Sequence, residues 1–142
     1  MRLVSRSILS GTLLVSPFVS ACEASPSEAT PVLNGPSQAV RPGQEVHPEA
    51  NDVFGVALLS VDEDSRCPRS VVCVSAGTAA IVLGYRFGMG PTVPVRLRWG
   101  ASPRDTVIGS VRVVFDSLTP YPDVPGPLLP QARYTAWLSF KR

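Results

Sequence analysis

From about Gln38 onward the chain alternates apolar and polar residues with a period of two, and every such run is cut short by glycine or proline. Successive side chains of a strand point to opposite faces, so this period selects half-buried β-strands and no other regular element. Val95-Arg96-Leu97-Arg98-Trp99 is the cleanest case, with Val95, Leu97 and Trp99 inward and both arginines outward. Val111, Val113 and Phe115 share one face of the next run, opposite Arg112 and Asp116. In the last run, Tyr134 to Lys141, the inward face is Tyr134, Ala136, Leu138 and Phe140, and Thr135, Trp137 and Ser139 take the other. Val53 to Val61 is apolar enough for a central strand covered on both faces, and Gly77 to Phe87 is a second long strand. A short strand near Gln44 to His47 opens the domain.

Breakers separate these runs: Gly88-Met89-Gly90-Pro91, the stretch Gly100 to Asp105, and Thr119 to Gln131, which holds five prolines and reads as a stiff, extended loop. No window sustains helical periodicity. Six or seven short strands at this spacing predict an all-β, antiparallel, immunoglobulin-like sandwich over residues 38–142, with a small β-barrel as the alternative.

The start of the chain is of a different kind. Arg2 and Arg6 precede an apolar run from Ile8 to Val19, and small residues lead into Cys22. A membrane-spanning helix needs about 20 apolar residues, and this run falls short. Its layout is that of a secretory signal over residues 1–21, and Val19-Ser20-Ala21-Cys22 resembles the bacterial lipobox. That resemblance implies cleavage before Cys22 and attachment of a diacylglycerol and a palmitate-type acyl chain, a combination that anchors stably where one chain alone would not. Residues 22–37 then form a disordered tether, rich in Ser, Pro, Ala and Glu, with a flexible reach of about 20 Å. The address is the bacterial cell envelope. An acidic residue after the cysteine favours inner-membrane retention in some bacteria, but that rule mostly concerns Asp; with Glu23 in that place the outer membrane is the expected address.

Export also governs the other two cysteines. Cys67 and Cys73 sit where disulfides persist, and their pairing closes a loop of five intervening residues. The chain-entropy model gives such a loop about 2–2.5 kcal/mol. The C-x5-C spacing is unlike the C-x-x-C of a thioredoxin-type redox site.

The densest segment is Val61 to Gly77. Its Asp64-Ser65-Arg66-Cys67-Pro68, the gap to Cys73, and Ala76-Gly77 resemble a family of uncharacterised bacterial lipoproteins and secreted domains. The Leu118-x-Pro120-x-Pro122 stretch and Tyr134 at the opening of the last strand fit the same family. The resemblance implies architecture and location and brings no activity. The family places Trp two residues after the second cysteine, where this chain has Ser75; if that Trp packs under the disulfide, Trp99 or Trp137 is expected to fill its place, and if it contacts a ligand, that contact is altered here.

Two readings of the acidic run Asp62-Glu63-Asp64 are open. Asp64 caps a turn by accepting backbone N–H bonds while Arg66 lies across the sheet edge and pairs with an acid. Alternatively Asp62 and Asp64 lend oxygens to calcium, although consecutive strand residues point apart and the spaced EF-hand pattern is missing. His47 is the lone histidine, next to Val46 and Pro48, and reads as a surface residue. With no nucleophile elbow and too few ligands for zinc, the chain is read as a non-enzyme without cofactor. An enzyme of unknown type is the alternative of a different class.

Thirteen basic residues, less Arg2 and Arg6, leave eleven against eleven acids after the leader, so nothing favours nucleic acid. The expected activity is non-covalent binding, or a structural role, with an envelope protein or glycan as partner. Its binding loop would present Asp64, Arg66, Arg69 and Tyr121. Within that class a hydrolase inhibitor or a calcium-binding module are alternatives.

Overall fold

A computed structural model describes residues 33–49 and 53–142. The expected signal, the lipidation site Cys22 and most of the tether lie outside the described residues.

Eight strands follow in order: β1 (Gln38–Val40), β2 (Glu45–Val46), β3 (Phe54–Asp64), β4 (Ala79–Phe87), β5 (Val93–Trp99), β6 (Asp105–Ile108), β7 (Val111–Thr119) and β8 (Thr135–Lys141). They form two four-stranded antiparallel sheets, β2-β3-β4-β5 and β1-β8-β7-β6, packed as a sandwich and not closed into a barrel. The connectivity is two successive meanders, with β1 added beside β8. The β1–β2 connection carries the chain from one sheet to the other through Gly43, which adopts a positive φ of 79°.

The alternation read from the sequence sets the core. Val56, Leu58, Ile81, Leu83 and Leu97 from one sheet meet Val113, Phe115, Ala136, Leu138 and Phe140 from the other, all fully buried. Burying a side chain of this size is worth about 1.5–3 kcal/mol. Two findings depart from the expected pattern. First, β1 and β6 are additional strands, of three and four residues, too short to show a period. Second, β3 is covered on one face only, leaving Leu59 46% exposed. Register shifts between Leu58 and Ser60 and between Val61 and Glu63 return Val61 to the core in a run that looked apolar throughout.

The strands define two poles. The chain enters at Leu33, which bridges to Phe140, and Asn34 donates to the Phe140 carbonyl at 2.7 Å. That end, the lower pole, also holds the start of β3 and the β4–β5 turn, where Gly88 donates to the Val53 carbonyl. The upper pole holds the ends of β3, β5 and β7, the starts of β4 and β8, and the loops over 65–78 and 120–134.

Candidate functional site

The β3–β4 ladder does not stop at Asp64. Ser65 donates to the Thr78 carbonyl at 2.8 Å and Cys67 to the Ala76 carbonyl at 2.9 Å, so the strands rise as a ribbon into the loop that the Cys67–Cys73 disulfide closes. Gly77 makes this ribbon compact: its φ is +70°, and a Cβ there would stand 1.9 Å from the Ser65 carbonyl oxygen.

Arg66 stands at the foot of the ribbon. Asp64 and Arg66 are two residues apart on an extended segment, so their side chains leave on the same side. Arg66 Nε donates to Asp64 Oδ1 at 2.7 Å and Nη2 to Asp64 Oδ2 at 2.8 Å, a bidentate pair. The same guanidinium donates to the Leu118 carbonyl and, at 2.8 Å, to the Pro120 carbonyl. These are the last residues of β7 and the first of the proline loop, so one side chain ties the two sheets together where their strands end. Arg66 is 4% exposed and is a structural clasp, pairing with an acid as one reading of the run expects. The other half of that reading is corrected: Asp64 holds a guanidinium instead of capping a turn. Its Oδ2 also lies 3.4 Å from the Tyr134 hydroxyl, which accepts from Leu129 N at 3.2 Å. Burial pushes the Tyr134 phenol above its usual range, with the Leu129 N–H working in the opposite sense and Asp64 adding to the rise.

The proline loop docks on the disulfide loop. Arg69 N donates to the Pro122 carbonyl at 3.1 Å and Ser70 N to the Asp123 carbonyl at 3.0 Å. The Tyr121 ring lies under both arginines, 4.8 Å from Arg66 Cζ and 5.3 Å from Arg69 Cζ. This is the ring that meets the disulfide loop; the expectation had been Trp99 or Trp137. Trp137 instead donates its indole N–H to Thr119 Oγ1 at 3.1 Å. Arg69 and Tyr121, expected at one binding loop, do come together there. Arg69 is open to solvent, 3.5 Å from Asp123.

Between the loops lies a cavity of about 400 Å³. Pro120, Pro122 and Pro125 wall it, Tyr134 and the Asp64–Arg66 pair form its base, and Arg133 stands on its lining. At the disulfide loop Val72 and Val74, either side of Cys73, are completely exposed and Val71 is exposed next to them; Val124, on the cavity lining, is exposed as well.

Sequence reasoning missed Gln131. Its side-chain amide accepts from Val61 N at 2.7 Å and donates to the Val61 carbonyl at 3.0 Å. Because β2 pairs only with Ala57 and Val56, the outer edge of β3 is bare at Val61, and the amide takes the place of a neighbouring peptide there. Nothing in a loop glutamine signals this role before the fold is known.

The other two acids of the run face elsewhere. Asp62 lies 3.7 Å from Arg96, and Glu63 3.6 Å from Arg96 and 3.8 Å from Arg98. Among the described residues no three His, Cys, Asp or Glu side chains come together as a metal would need. His47 is half-buried, with Nε2 3.8 Å from Glu45 Oε1, near the start of β3 and away from the cavity.

No protein-family model, no curated protein and no solved structure matches this chain.

Proposed function

We propose that this chain is an exported, lipid-anchored β domain of the bacterial cell envelope that works by non-covalent binding, with its recognition surface at the upper pole. The observation that carries this reading is the pair Val72 and Val74, fully exposed on a loop held in one shape. Exposed apolar side chains gathered on one surface mark contact sites. The disulfide, the Ser65–Thr78 and Cys67–Ala76 rungs and the docked proline loop all restrain that surface. A surface ordered before binding loses less entropy on association. Valines make no hydrogen bonds, so they suit an apolar patch on a protein partner better than a glycan, and Arg69 at 71% side-chain exposure adds a polar rim. The lipobox supports Cys22 as the anchor.

A photo-crosslinking residue placed at Val72 in the native envelope tests this. The expected result is one protein partner, captured again from Tyr121 and lost from Val72 in an Arg69→Ala, Val74→Asp variant. Capture of nothing reproducible from either position, or equal capture from Arg112 on the far strand face, overturns the reading.

A further inference from the structure

We infer that the lower pole, where the described chain enters at Leu33, lies against the lipid surface as a second, non-covalent membrane contact. The inference rests on the proposed anchor at Cys22.

Large apolar side chains are exposed at this pole. Met89, at the tip of the β4–β5 turn, is fully exposed, and Phe87, Val53 and Val107 are between 48% and 60% exposed. Phe87 connects them. Its ring stacks on Phe54 at 5.2 Å between centroids, and a Cβ on Gly109 would come within 3.5 Å of it. Gly109 belongs to the β6–β7 turn, so the Phe87 ring reaches the other sheet, where exposed Val107 lies two residues before Gly109. Lys141, exposed at the end of β8, sets a cation beside it. Apolar side chains with a cation at their margin fit a bilayer containing anionic lipid.

Geometry selects the lipid as occupant. Ten residues lie between Cys22 and Leu33, a span of eleven residue steps. A flexible chain of that length typically reaches about 18 Å, and no stretch of it exceeds about 40 Å. Strand β3 alone, eleven residues from the lower pole to the upper, is about 36 Å long at about 3.3 Å per residue. At the tether's typical reach, half the length of β3, an acyl anchor on Cys22 holds the Leu33 end closer to the headgroups than the Val72 end. The two exposed apolar surfaces then have different occupants: lipid below, and the protein partner above.

The test uses the full chain, processed in its native host, in vesicles of phosphatidylethanolamine and phosphatidylglycerol with brominated acyl chains. Met89→Trp adds an indole at the lower pole and Val72→Trp at the upper, both at fully exposed positions. The emission each adds to that of the unsubstituted chain is the readout. The expected result is loss of most of the Met89→Trp increment, with a blue shift, and no loss of the Val72→Trp increment. Equal emission from both, or preferential quenching at Val72, in protein that carries acyl mass on Cys22 and floats with the vesicles, overturns the inference and leaves the anchor standing. Protein that carries no acyl mass and does not float overturns the anchor, and the inference with it.

Discussion

Asp64 and Glu63 are neighbours in sequence and both face arginine, yet they sit in opposite physical regimes. The Asp64–Arg66 side chains are 6% and 2% exposed, are joined bidentately, and have two carbonyls and a phenol completing their hydrogen bonds. Glu63, Arg96 and Arg98 are 37%, 46% and 40% exposed, and their nitrogens and oxygens approach no closer than 3.6 Å. Water screens the second group, and side-chain entropy opposes holding it in one geometry. The first group has lost its water, so each charge depends on the other. A run of three acids thus contains one residue that helps close the fold and two that line a solvated face. Charge alone does not distinguish them; burial does.

The sharpest way to break this contrast is Arg66→Ala. It strands the Asp64 carboxylate and leaves the Leu118 and Pro120 carbonyls without their donor. Removing one partner of a buried pair costs about 3–5 kcal/mol, and urea unfolding should show a loss of that size. The companion variant Asp64→Asn with Arg66→Met removes both charges and should recover much of the loss, because two neutral side chains have no ion to desolvate. If Arg66→Ala unfolds at the same urea concentration as the unsubstituted chain, the pair does not clasp the sheets.

An intermediate effect is expected at Gln131, where the contact is buried in part and carries no charge. Gln131→Ala leaves Val61 N–H and C=O on a bare sheet edge. Each unsatisfied group costs about 1–3 kcal/mol when buried and less where water can enter, so a loss of about 1–2 kcal/mol is expected in the same experiment. Amide hydrogen exchange at Val61 should accelerate more than at Ile81, its partner inside the sheet. Equal acceleration at both would mean that the whole sheet has loosened.

The sequence carried the sandwich and its inward faces because alternation is a local signal. In β5, β7 and β8 the residues read as inward are the ones the sheets cover. It carried the disulfide because, with Cys22 expected to bear lipid, Cys67 and Cys73 admit one pairing. It did not carry β1 or β6, which are held by their neighbours and not by their own pattern. It did not carry Gln131, whose partner is seventy residues away. The Arg66 clasp is a middle case. The i, i+2 spacing of Asp64 and Arg66 on a strand puts them on one side, and this much could be read. That the side they share is the inside follows only once the end of β7, at Leu118 and Thr119, lies beside them.

The smallest expected effect separates charge from hydrogen bonding on the open side of the comparison. Glu63 is held below the usual carboxylate range chiefly by the Thr78 hydroxyl, which donates to its Oε1 at 2.8 Å. Partial burial works the other way, and Ser65, Arg98 and Arg96 add smaller downward contributions in that order. Thr78→Val keeps the shape of the side chain and removes the donor, so the Glu63 carboxyl should titrate closer to its ordinary pH in carbon-detected NMR. Arg98→Ala should move it less, and Arg96→Ala less again. The sign for stability follows from the depressed value: folding gains from the ionised Glu63 above the ordinary carboxylate range and loses that gain as pH falls through the lowered pKa. In Thr78→Val that acid-side loss should shrink, whereas in Arg98→Ala most of it should remain. A larger upward move in Arg98→Ala than in Thr78→Val would mean that Coulomb attraction governs the open face after all, and that the two halves of the acidic run differ in degree and not in kind.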